Sequence, residues 1–474
     1  MGVSQLDSQL IDALPILDGK RQLTILLGAG ASVGSGLSSW NKMVEYLLCD
    51  SNLAKDAETA QVLVEQGDLV LLSEGARSCY ESDAKWMKAL HDALYHDALC
   101  GSDIHSLDQL DPSFLQLNAA SLACEYPEQV HLVTLNFDTL LELAIDRVNK
   151  EIGSENLKKI EVTHLHGIID PGEEAETNGN ALGRKPVFTF HDYLSLIGDT
   201  KADARETLIR ALEQGDLLIV GTSFRDPDIR QWLGKILKEQ KRKENLHKTY
   251  FIASREGFKD VDVDEFSRML PALKGQWESL GVSPIFVQDH FDAAQIIQEL
   301  RYVGHPGYHS PAERINQIWE KLAGTEFASY QNEFSDLLQQ QKRDLKRQVG
   351  QQLVNATLWI AHGDKMIRYA THDRLYRDAS LLREREQGFD SAMIAGRVYS
   401  TCQQLVYGPT GRWSMVAAAP IIISDEREQG SYSRIPVAVV SFGFTEEVDR
   451  NTIAVALTKM VDEWSGLLSK SFFR

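Results

Sequence analysis

Cysteine is scarce in this chain, and the few that occur are isolated from one another. The 474 residues include 5 cysteines, and no two of them form a C-x-x-C pair. This excludes the disulfide framework of small secreted proteins and a zinc site built from cysteine pairs. We therefore expect a reducing compartment, the cytoplasm. The cysteines are Cys49, Cys79, Cys100, Cys124 and Cys402.

Long apolar runs and an excess of positive charge are also lacking. No run approaches the roughly 18 apolar residues that span a bilayer, and the first residues lack a basic segment followed by an apolar one. We expect neither secretion nor membrane insertion. The net charge is −19, which repels phosphate backbones, so nucleic acid is not the expected partner. With 43% apolar and 25% charged residues, the chain has the balance of a folded protein.

The length predicts more than one domain, because a single hydrophobic core stops growing at roughly 250–300 residues. In the first 300 residues, six short apolar runs alternate with helical patterns, which predicts a mainly parallel, Rossmann-like α/β sheet covered by helices. About 90 residues of helical pattern separate the first two runs and predict a helical insertion. The runs are residues 23–27, 130–134, 162–166, 217–220, 250–253 and 284–287.

The remainder of the chain has a different character. Residues 306–354 are predicted to be linker helices, and residues 355–474 a smaller α+β domain, after the parallel α/β domain at residues 1–305. One linker helix carries an apolar stripe that either forms a two-helix contact between copies of the chain or docks onto its own domain. The stripe consists of Phe334, Leu338, Leu345 and Val349.

A small-residue turn directly follows the first predicted strand. Small residues there allow a pyrophosphate to approach backbone N–H groups and a helix N-terminus, and a serine hydroxyl can cap or donate. The turn departs from the dinucleotide fingerprint G-x-G-x-x-G, because Val33 occupies the third small position and Gly34 follows one residue late. A purely structural turn is the alternative. The candidate binding residues are Gly28, Ala29, Gly30, Ala31 and Ser32.

Three further segments place polar groups after predicted strands, where open α/β sheets bind ligands. They are residues 134–138 (Thr-Leu-Asn-Phe-Asp), 164–167 (His-Leu-His-Gly) and 221–226 (Gly-Thr-Ser-Phe-Arg-Asp). Together with residues 28–32 and 35–37, this ordered set resembles the sirtuin-like family over roughly residues 20–300. The order of the motifs and the helical insertion agree with that resemblance.

Two departures separate the chain from deacylating sirtuins. Leu135 stands where those enzymes carry a glutamine, and their zinc module is missing. The chain instead resembles the bacterial sirtuin-like NAD hydrolases that act as effector domains in antiphage defence, whose local pattern residues 37–40 and 137–138 fit. The resemblance implies that NAD is a substrate, cleaved to nicotinamide and ADP-ribose, with no metal. Trp40 either walls the pocket or packs.

The chemistry of that cleavage suggests roles for individual residues. Asn136 is the candidate to position the attacking water or a ribose hydroxyl, and His166 the candidate general base. Asp138 is expected to orient the nicotinamide carboxamide, with capping of a helix as the alternative. Gly221, Thr222 and Ser223 are expected to contact ribose or phosphate oxygens. Arg225 and Asp226 are equally compatible with a structural ion pair.

The C-terminal domain resembles a GAF-type sensor fold at the level of pattern. Residues 396–398, 419–421 and 435–440 carry this resemblance. It implies a small signal, a homo-oligomer contact or a defence partner protein, and it implies regulation, because an unrestrained NAD hydrolase would kill its host. Two other hypotheses remain open: a nucleotide sensor without turnover, and an inert scaffold in a defence complex.

Overall fold

The chain divides into two compact units. The computed structural model describes residues 2–15, 17, 21–100, 110–152, 159–169, 185–198, 203–222, 226–242, 247–258, 260–305, 307–350, 353–424 and 434–472. The parallel-sheet unit comprises Leu17–Ala253 and Gly257–Phe286. The antiparallel-sheet unit comprises Met1–Ile16, Ser254–Glu256 and Val287–Arg474. In the described part of the chain, no helix has the length and apolarity needed to cross a bilayer.

Twelve strands in the described residues form two six-stranded sheets, one in each unit. The first sheet contains β1 (Gln22–Leu27), β2 (Val130–Thr134), β3 (Val162–His164), β4 (Gly215–Val220), β5 (Thr249–Ser254) and β6 (Val282–Val287). The second contains β7 (Leu353–His362), β8 (Lys365–Thr371), β9 (Arg383–Glu386), β10 (Leu405–Tyr407), β11 (Met415–Ile423) and β12 (Ile435–Phe444).

Seventeen α-helices lie within the described residues, together with short 3-10 turns at Val3–Gln5, Arg255–Gly257 and Ala379–Leu381. The helices are α1 (Ser8–Ile11), α2 (Gly30–Val33), α3 (Trp40–Asp50), α4 (Ala57–Gln66), α5 (Leu69–Arg77), α6 (Asp83–Cys100), α7 (Phe114–Glu125), α8 (Leu140–Ile152), α9 (Phe190–Gly198), α10 (Asp203–Gln214), α11 (Pro227–Arg242), α12 (Val263–Leu280), α13 (His290–Glu299), α14 (Pro311–Leu322), α15 (Phe327–Val349), α16 (Ile394–Thr401) and α17 (Arg450–Phe472).

The parallel sheet has the order β3-β2-β1-β4-β5-β6, which confirms the predicted Rossmann-like α/β fold. Its central strands are apolar on both faces because helices cover both sides; every residue of β4 is buried. The chain winds outward from β1 through β2 to β3 and then returns to place β4 on the other side of β1. This reversal creates a switch point at the carboxyl ends of β1 and β4, where such sheets bind ligands.

The predicted strands and the helical insertion are confirmed in the parallel-sheet unit. Helices α3 to α7 occupy the insertion between β1 and β2. Four of them, α3 to α6, contribute to a separate core cluster that includes Val44, Ala60, Leu69, Trp86 and Leu90. The insertion therefore has a hydrophobic core of its own beside the sheet.

The antiparallel-sheet unit has the strand order β10-β11-β12-β7-β8-β9, and all of its strand pairs are antiparallel. Helices α14, α15 and α17 contribute to its main core. The ring of Phe334 on α15 lies 5.4 Å from that of Trp464 on α17, and Leu338 and Leu345 on α15 are fully buried. The apolar stripe on α15 is thus used within its own unit, and the alternative of a two-helix contact between chains through it is not supported.

The observed units differ from the sequence-based division at residues 305 and 354. Helix α13 belongs to the antiparallel-sheet unit, as do the first residues of the chain. The Leu6 carbonyl accepts a hydrogen bond from the Ala312 N–H at 3.1 Å, which ties the N-terminus to α14. The helices predicted as a linker are part of the core of this unit.

Candidate active site

Asn136 and His166 occupy equivalent places on neighbouring strands. Strands β2 and β3 are parallel, and Thr134 pairs with His164. Asn136 lies two residues after Thr134, and His166 lies two residues after His164, so each follows the carboxyl end of its strand. Because neighbouring strands lie about 4.8 Å apart, the two residues emerge side by side at the same edge of the sheet.

Asn136 is buried and held in place from two directions. Its backbone N–H donates to the Thr134 hydroxyl at 3.0 Å, and its side-chain Nδ2 donates to Ser32 Oγ at 2.8 Å. The remaining side-chain atom, Oδ1, is buried without a hydrogen-bond partner among the described residues. A buried carbonyl without a partner costs free energy, so a donor from a bound molecule would stabilise this site.

Ser32 is the centre of a buried hydrogen-bond network. Its Oγ accepts hydrogen bonds from Asn136 and from Gln116 Nε2, the latter at 3.0 Å, and donates to Asp138 Oδ2 at 2.7 Å. Gln116 is on α7, in the helical insertion, and its N–H is capped by Ser113. Sequence reasoning missed Gln116, because nothing in a helical pattern marks one glutamine as facing a distant strand end.

Asp138 connects this network to the start of α8. Its Oδ1 accepts the N–H of Leu140 at 3.1 Å, while its Oδ2 accepts the Ser32 hydroxyl. Burial raises the pKa of Asp138, and these hydrogen bonds only partly oppose the rise. Asp138 thus accepts the N–H of the first residue of α8, and both of its carboxylate oxygens have protein donors.

His166 is enclosed by carboxylates. Its Nε2 lies 3.0 Å from Asp228 Oδ2, and its Nδ1 lies 3.6 Å from Asp226 Oδ1. Burial lowers the pKa of His166, but the charges of Asp228 and Asp226 outweigh it and raise the pKa above its usual value. The rings of Tyr193 and His166 are nearly perpendicular, with their centroids 5.6 Å apart, and the Tyr193 hydroxyl donates to Asp226 at 3.2 Å. The imidazole thus lies between two carboxylates, whose charges favour its protonated form.

Asp228 and Tyr193 were not found from the sequence. Asp228 has no exposed surface, and its Oδ1 lacks a partner among the described residues. The only available signal was the repeated aspartate around Pro227, directly after the fourth polar segment. Tyr193 comes from α9, which no motif marks. Asp226 was considered only as a partner of Arg225, which lies outside the described residues, as does Ser223.

His164 supports the loop that carries Asn136. Its Nδ1 lies 2.9 Å from the Asn136 carbonyl oxygen, and its Nε2 lies 2.7 Å from Glu142 Oε1. Burial lowers the pKa of His164, and the bond and charge of Glu142 more than compensate, so the net pKa is raised. His164 and His166 therefore have different carboxylate partners. No group of three or more metal-ligating side chains occurs among the residues that the structure describes.

The glycines of the first motif are needed for contact between two loops. A Cβ on Gly28 would lie 2.5 Å from Thr222 Cβ, and one on Gly30 would lie 2.8 Å from the Gly221 carbonyl oxygen. Gly221 itself has φ +70°, a conformation that favours glycine. The loops that follow β1 and β4 therefore pack backbone to backbone at the switch point.

The expected N–H cradle for a pyrophosphate is largely occupied by these contacts. The Gly28 N–H donates to Val220 and the Gly30 N–H to Gly221, while those of Ala31 and Ser32 donate within the turn. Helix α2 has only 4 residues. The turn thus shapes the site through close packing and through the Ser32 side chain, and less through free N–H groups than the sequence predicted.

A cavity of about 680 Å³ lies beside the His166 cluster, and Trp40 forms part of its wall. The Trp40 ring lies 6.3 Å from that of Tyr193, which in turn contacts His166. The indole N–H of Trp40 is buried with no partner among the described residues. The cavity also borders Asp68, Pro227, Arg230 and Gln231. Trp40 therefore both packs against aromatic neighbours and lines a cavity large enough for a small-molecule ligand.

Comparison with known families agrees with this arrangement. No curated protein shows significant sequence similarity to the chain. Residues 130–285 match the SIR2-like domain, a segment that begins at β2 and contains Asn136, His166 and Asp228. The central part of this chain is therefore similar to a SIR2-like domain, and such a domain fits an NAD-related activity in general.

Proposed function

We propose that the parallel-sheet unit hydrolyses NAD to nicotinamide and ADP-ribose. One observation carries the proposal: the Asn136 side chain is buried and held by Ser32, and its Oδ1 has no partner among the described residues, beside the strand that bears His166. A polar acceptor kept unsatisfied in a buried site is typical of a position that a ligand completes. The match of this segment to the SIR2-like domain supports NAD as that ligand.

The reaction breaks the bond between the nicotinamide nitrogen and C1 of its ribose. Its electron pair passes to the pyridinium nitrogen, which neutralises the ring, and the ribose develops oxocarbenium character. A water oxygen forms the new bond to C1 and loses a proton. In this proposal Asn136 Oδ1 accepts a hydrogen bond from the water or from a ribose hydroxyl, and His166 takes the proton that the water loses.

The carboxylates around His166 favour its uptake of a proton. Asp228 and Asp226 lie where their charges would stabilise the imidazolium that forms when His166 takes up a proton. Since both ring nitrogens face carboxylates there, His166 must be deprotonated and one nitrogen must turn toward the substrate before it acts as a base. We propose that NAD enters through the cavity walled by Trp40.

The same geometry favours a second candidate, an NAD sensor without turnover. With Nε2 at 3.0 Å from Asp228 and Nδ1 at 3.6 Å from Asp226, the imidazole has no nitrogen directed at free space. A site that keeps this arrangement after NAD binds would hold the nucleotide and leave it intact. A deacylase is a weaker alternative, because Leu135 and the missing zinc module depart from that branch.

Turnover by purified full-length protein separates the two candidates. NAD is incubated with wild type, Asn136→Ala and His166→Ala, and nicotinamide and ADP-ribose are quantified by chromatography. We expect equal amounts of both products from wild type and a loss of at least about 100-fold in each variant. His131→Ala serves as the control, because His131 is exposed and lies at the opposite end of β2. NAD binding without products would favour the sensor.

We further propose that this activity depletes NAD during phage infection, with the antiparallel-sheet unit as a GAF-like regulatory domain. The resemblance of residues 37–40 and 137–138 to defence effectors supports this role. Cellular NAD is measured during infection in cells that express wild type or His166→Ala. A fall confined to the wild-type strain is expected, and an equal NAD level in both strains would contradict the role.

A further inference from the structure

We infer that the antiparallel-sheet unit binds a nucleotide that bears several phosphate charges, in a cavity separate from the sirtuin-like site. The cavity has a volume of about 330 Å³, within the range of small-molecule sites. Five arginines line it, drawn from three elements and one loop. They are Arg368 on β8, Arg383 and Arg385 on β9, Arg397 on α16, and Arg412 in the loop before β11.

The concentration of positive charge is unusual for this chain. Its net charge is −19, yet no Asp or Glu is among the described residues that line the cavity. Strand β9 reads Arg-Glu-Arg-Glu, and only its two arginines line the cavity. Alternation along the strand thus sorts the charges by sign, and the positive face is turned to the cavity.

Two of these arginines oppose each other directly. Arg368 on β8 pairs with Arg383 on β9 in an antiparallel register. Like charges placed opposite one another destabilise a sheet, unless a counter-charge lies between them. None of the ion pairs in the described part of the chain includes any of the five arginines. The described residues therefore supply no counter-charge, and an anionic ligand would.

Aromatic side chains hold two of the guanidinium groups. Arg397 lies 4.7 Å above the ring of Tyr407, and Arg412 lies 4.3 Å above that of Trp413. These cation–π contacts orient the planar guanidinium groups, which can donate two parallel hydrogen bonds to a phosphate. Arg397 Nε is also buried without a partner among the described residues. It is a donor still available to a ligand.

The aromatic walls distinguish a nucleotide from a simple polyphosphate. The Trp359 indole N–H donates to Ser441 Oγ at 3.0 Å, which fixes that ring in the wall. Gly443 gives Trp413 room to lie against β12, because an added Cβ would be 3.0 Å from the indole. Bases stack on aromatic rings and on guanidinium planes, so the layer of Arg412 on Trp413 offers a platform for a base.

Calorimetric titration of the full-length protein tests this inference. ATP, inorganic triphosphate and adenosine are compared as probes without divalent cations, so that the arginines are the available counter-charges. We expect ATP to bind at least about tenfold more tightly than triphosphate, because only ATP adds a stacked base. Adenosine is expected to bind most weakly. Equal affinity for ATP and triphosphate would overturn the assignment to a nucleotide.

Substitution on β9 separates this cavity from the sirtuin-like site. Arg383→Ala/Arg385→Ala should weaken ATP binding at least about 100-fold, since two charged hydrogen-bond donors are lost. Arg374→Ala/Arg377→Ala removes the same charge from exposed residues that do not line the cavity, and it should change affinity by less than about twofold. All four substituted residues lie in the antiparallel-sheet unit. Equal ATP affinity in wild type and the β9 variant would overturn the proposal, whether or not NAD is hydrolysed.

Thermal unfolding checks that the β9 variant is folded. All four residues of β9 are exposed, so the substitutions leave the core unchanged. Loss of the repulsion between Arg368 and Arg383 predicts an unfolding midpoint no lower than that of wild type without ligand. ATP should raise the midpoint of wild type and of the control more than that of the β9 variant. An equal rise in all three would contradict the proposed site.

Discussion

Side chains at this edge of the parallel sheet form two polar clusters, one centred on Ser32 and one on His166. The sequence indicated Ser32, Asn136 and His166 through motifs that directly follow strands. It did not indicate Gln116 or Tyr193, whose helices approach the site from elsewhere in the chain. A motif encodes residues that are close in sequence, whereas these two depend on how the helices pack.

Replacement of Asp228 tests whether His166 is a base. The negative charge of Asp228 raises the pKa of His166, so Asp228→Asn should lower that pKa while an acceptor oxygen remains. Since a base acts only when deprotonated, the acid limb of kcat/KM for NAD cleavage should move to lower pH by about one unit or more. Glu142→Gln, which alters the partner of His164, is the control. An unchanged acid limb in Asp228→Asn would exclude His166 as the titrating base.

The close contact at Gly28 leads to a second prediction for a single residue. Gly28→Ala should lower the free energy of unfolding by about 1–3 kcal/mol, because its Cβ would overlap Thr222. Gly34→Ala is the matched control, since its Cβ would find its nearest neighbour at 3.5 Å. Urea denaturation measures both. Equal stability of the two variants would show that contact between the loops does not require glycine at position 28.

At the scale of helices and strands, hydrophobic periodicity predicts a strand only where the strand has a buried apolar face. The apolar runs predicted all six strands of the parallel sheet within a few residues. Strands β9 and β10 have no such run, because β9 is a fully exposed edge strand of charged residues and β10 has only 3 residues. Neither carries the buried face on which a periodicity argument depends.

For the apolar stripe of helix α15, the sequence left two alternatives open: a contact between copies of the chain and docking onto its own domain. An apolar stripe alone cannot indicate which surface covers it; here β7 and β8 of the same unit share its core. Leu338→Ala should therefore lower the free energy of unfolding by about 2–5 kcal/mol, because it leaves a cavity in that core. Val455→Ala on α17, where the side chain is exposed, should change it little. Chemical denaturation at two protein concentrations is the measurement, and a strong concentration dependence would instead indicate a contact between chains.

At the scale of the whole molecule, the antiparallel-sheet unit gathers three separate stretches of chain. Arg255, within the short middle stretch, is fully buried and donates to both carboxylate oxygens of Asp390, at 2.8 and 2.7 Å. Its Nε donates to Gln288 at 2.7 Å. The change in composition along the sequence marks a boundary near residue 305. It does not reveal that earlier residues such as Arg255 belong to this unit, because their contacts are with residues distant in sequence.

Two buried carboxyl groups in this unit predict how stability depends on pH. Burial raises the pKa of Asp292 to about 7 and that of Asp289 well above its usual value, and the charge of Asp292 adds to the latter shift. A carboxyl group whose pKa is raised by folding destabilises the folded state when it ionises. Stability should therefore fall as pH rises from the unfolded pKa of 3.8 toward about 7.

Asp292→Asn should reduce this dependence. The side-chain oxygen retained by asparagine can still accept the N–H groups of Gln288 and Asp289, while the ionisable proton is removed. Relative to wild type, the variant should gain stability between pH 5 and pH 8, on the order of 1–3 kcal/mol. Urea denaturation across this range is the measurement. A parallel pH dependence in both proteins would contradict the proposed titration.

The release of nicotinamide from NAD by the purified full-length chain tests the central claim most directly. The account predicts that wild type releases nicotinamide and ADP-ribose in equal amounts and that His166→Ala releases neither above the rate without protein. Wild type that binds NAD and leaves it intact, or a His166→Ala variant as active as wild type, would contradict the account of this site.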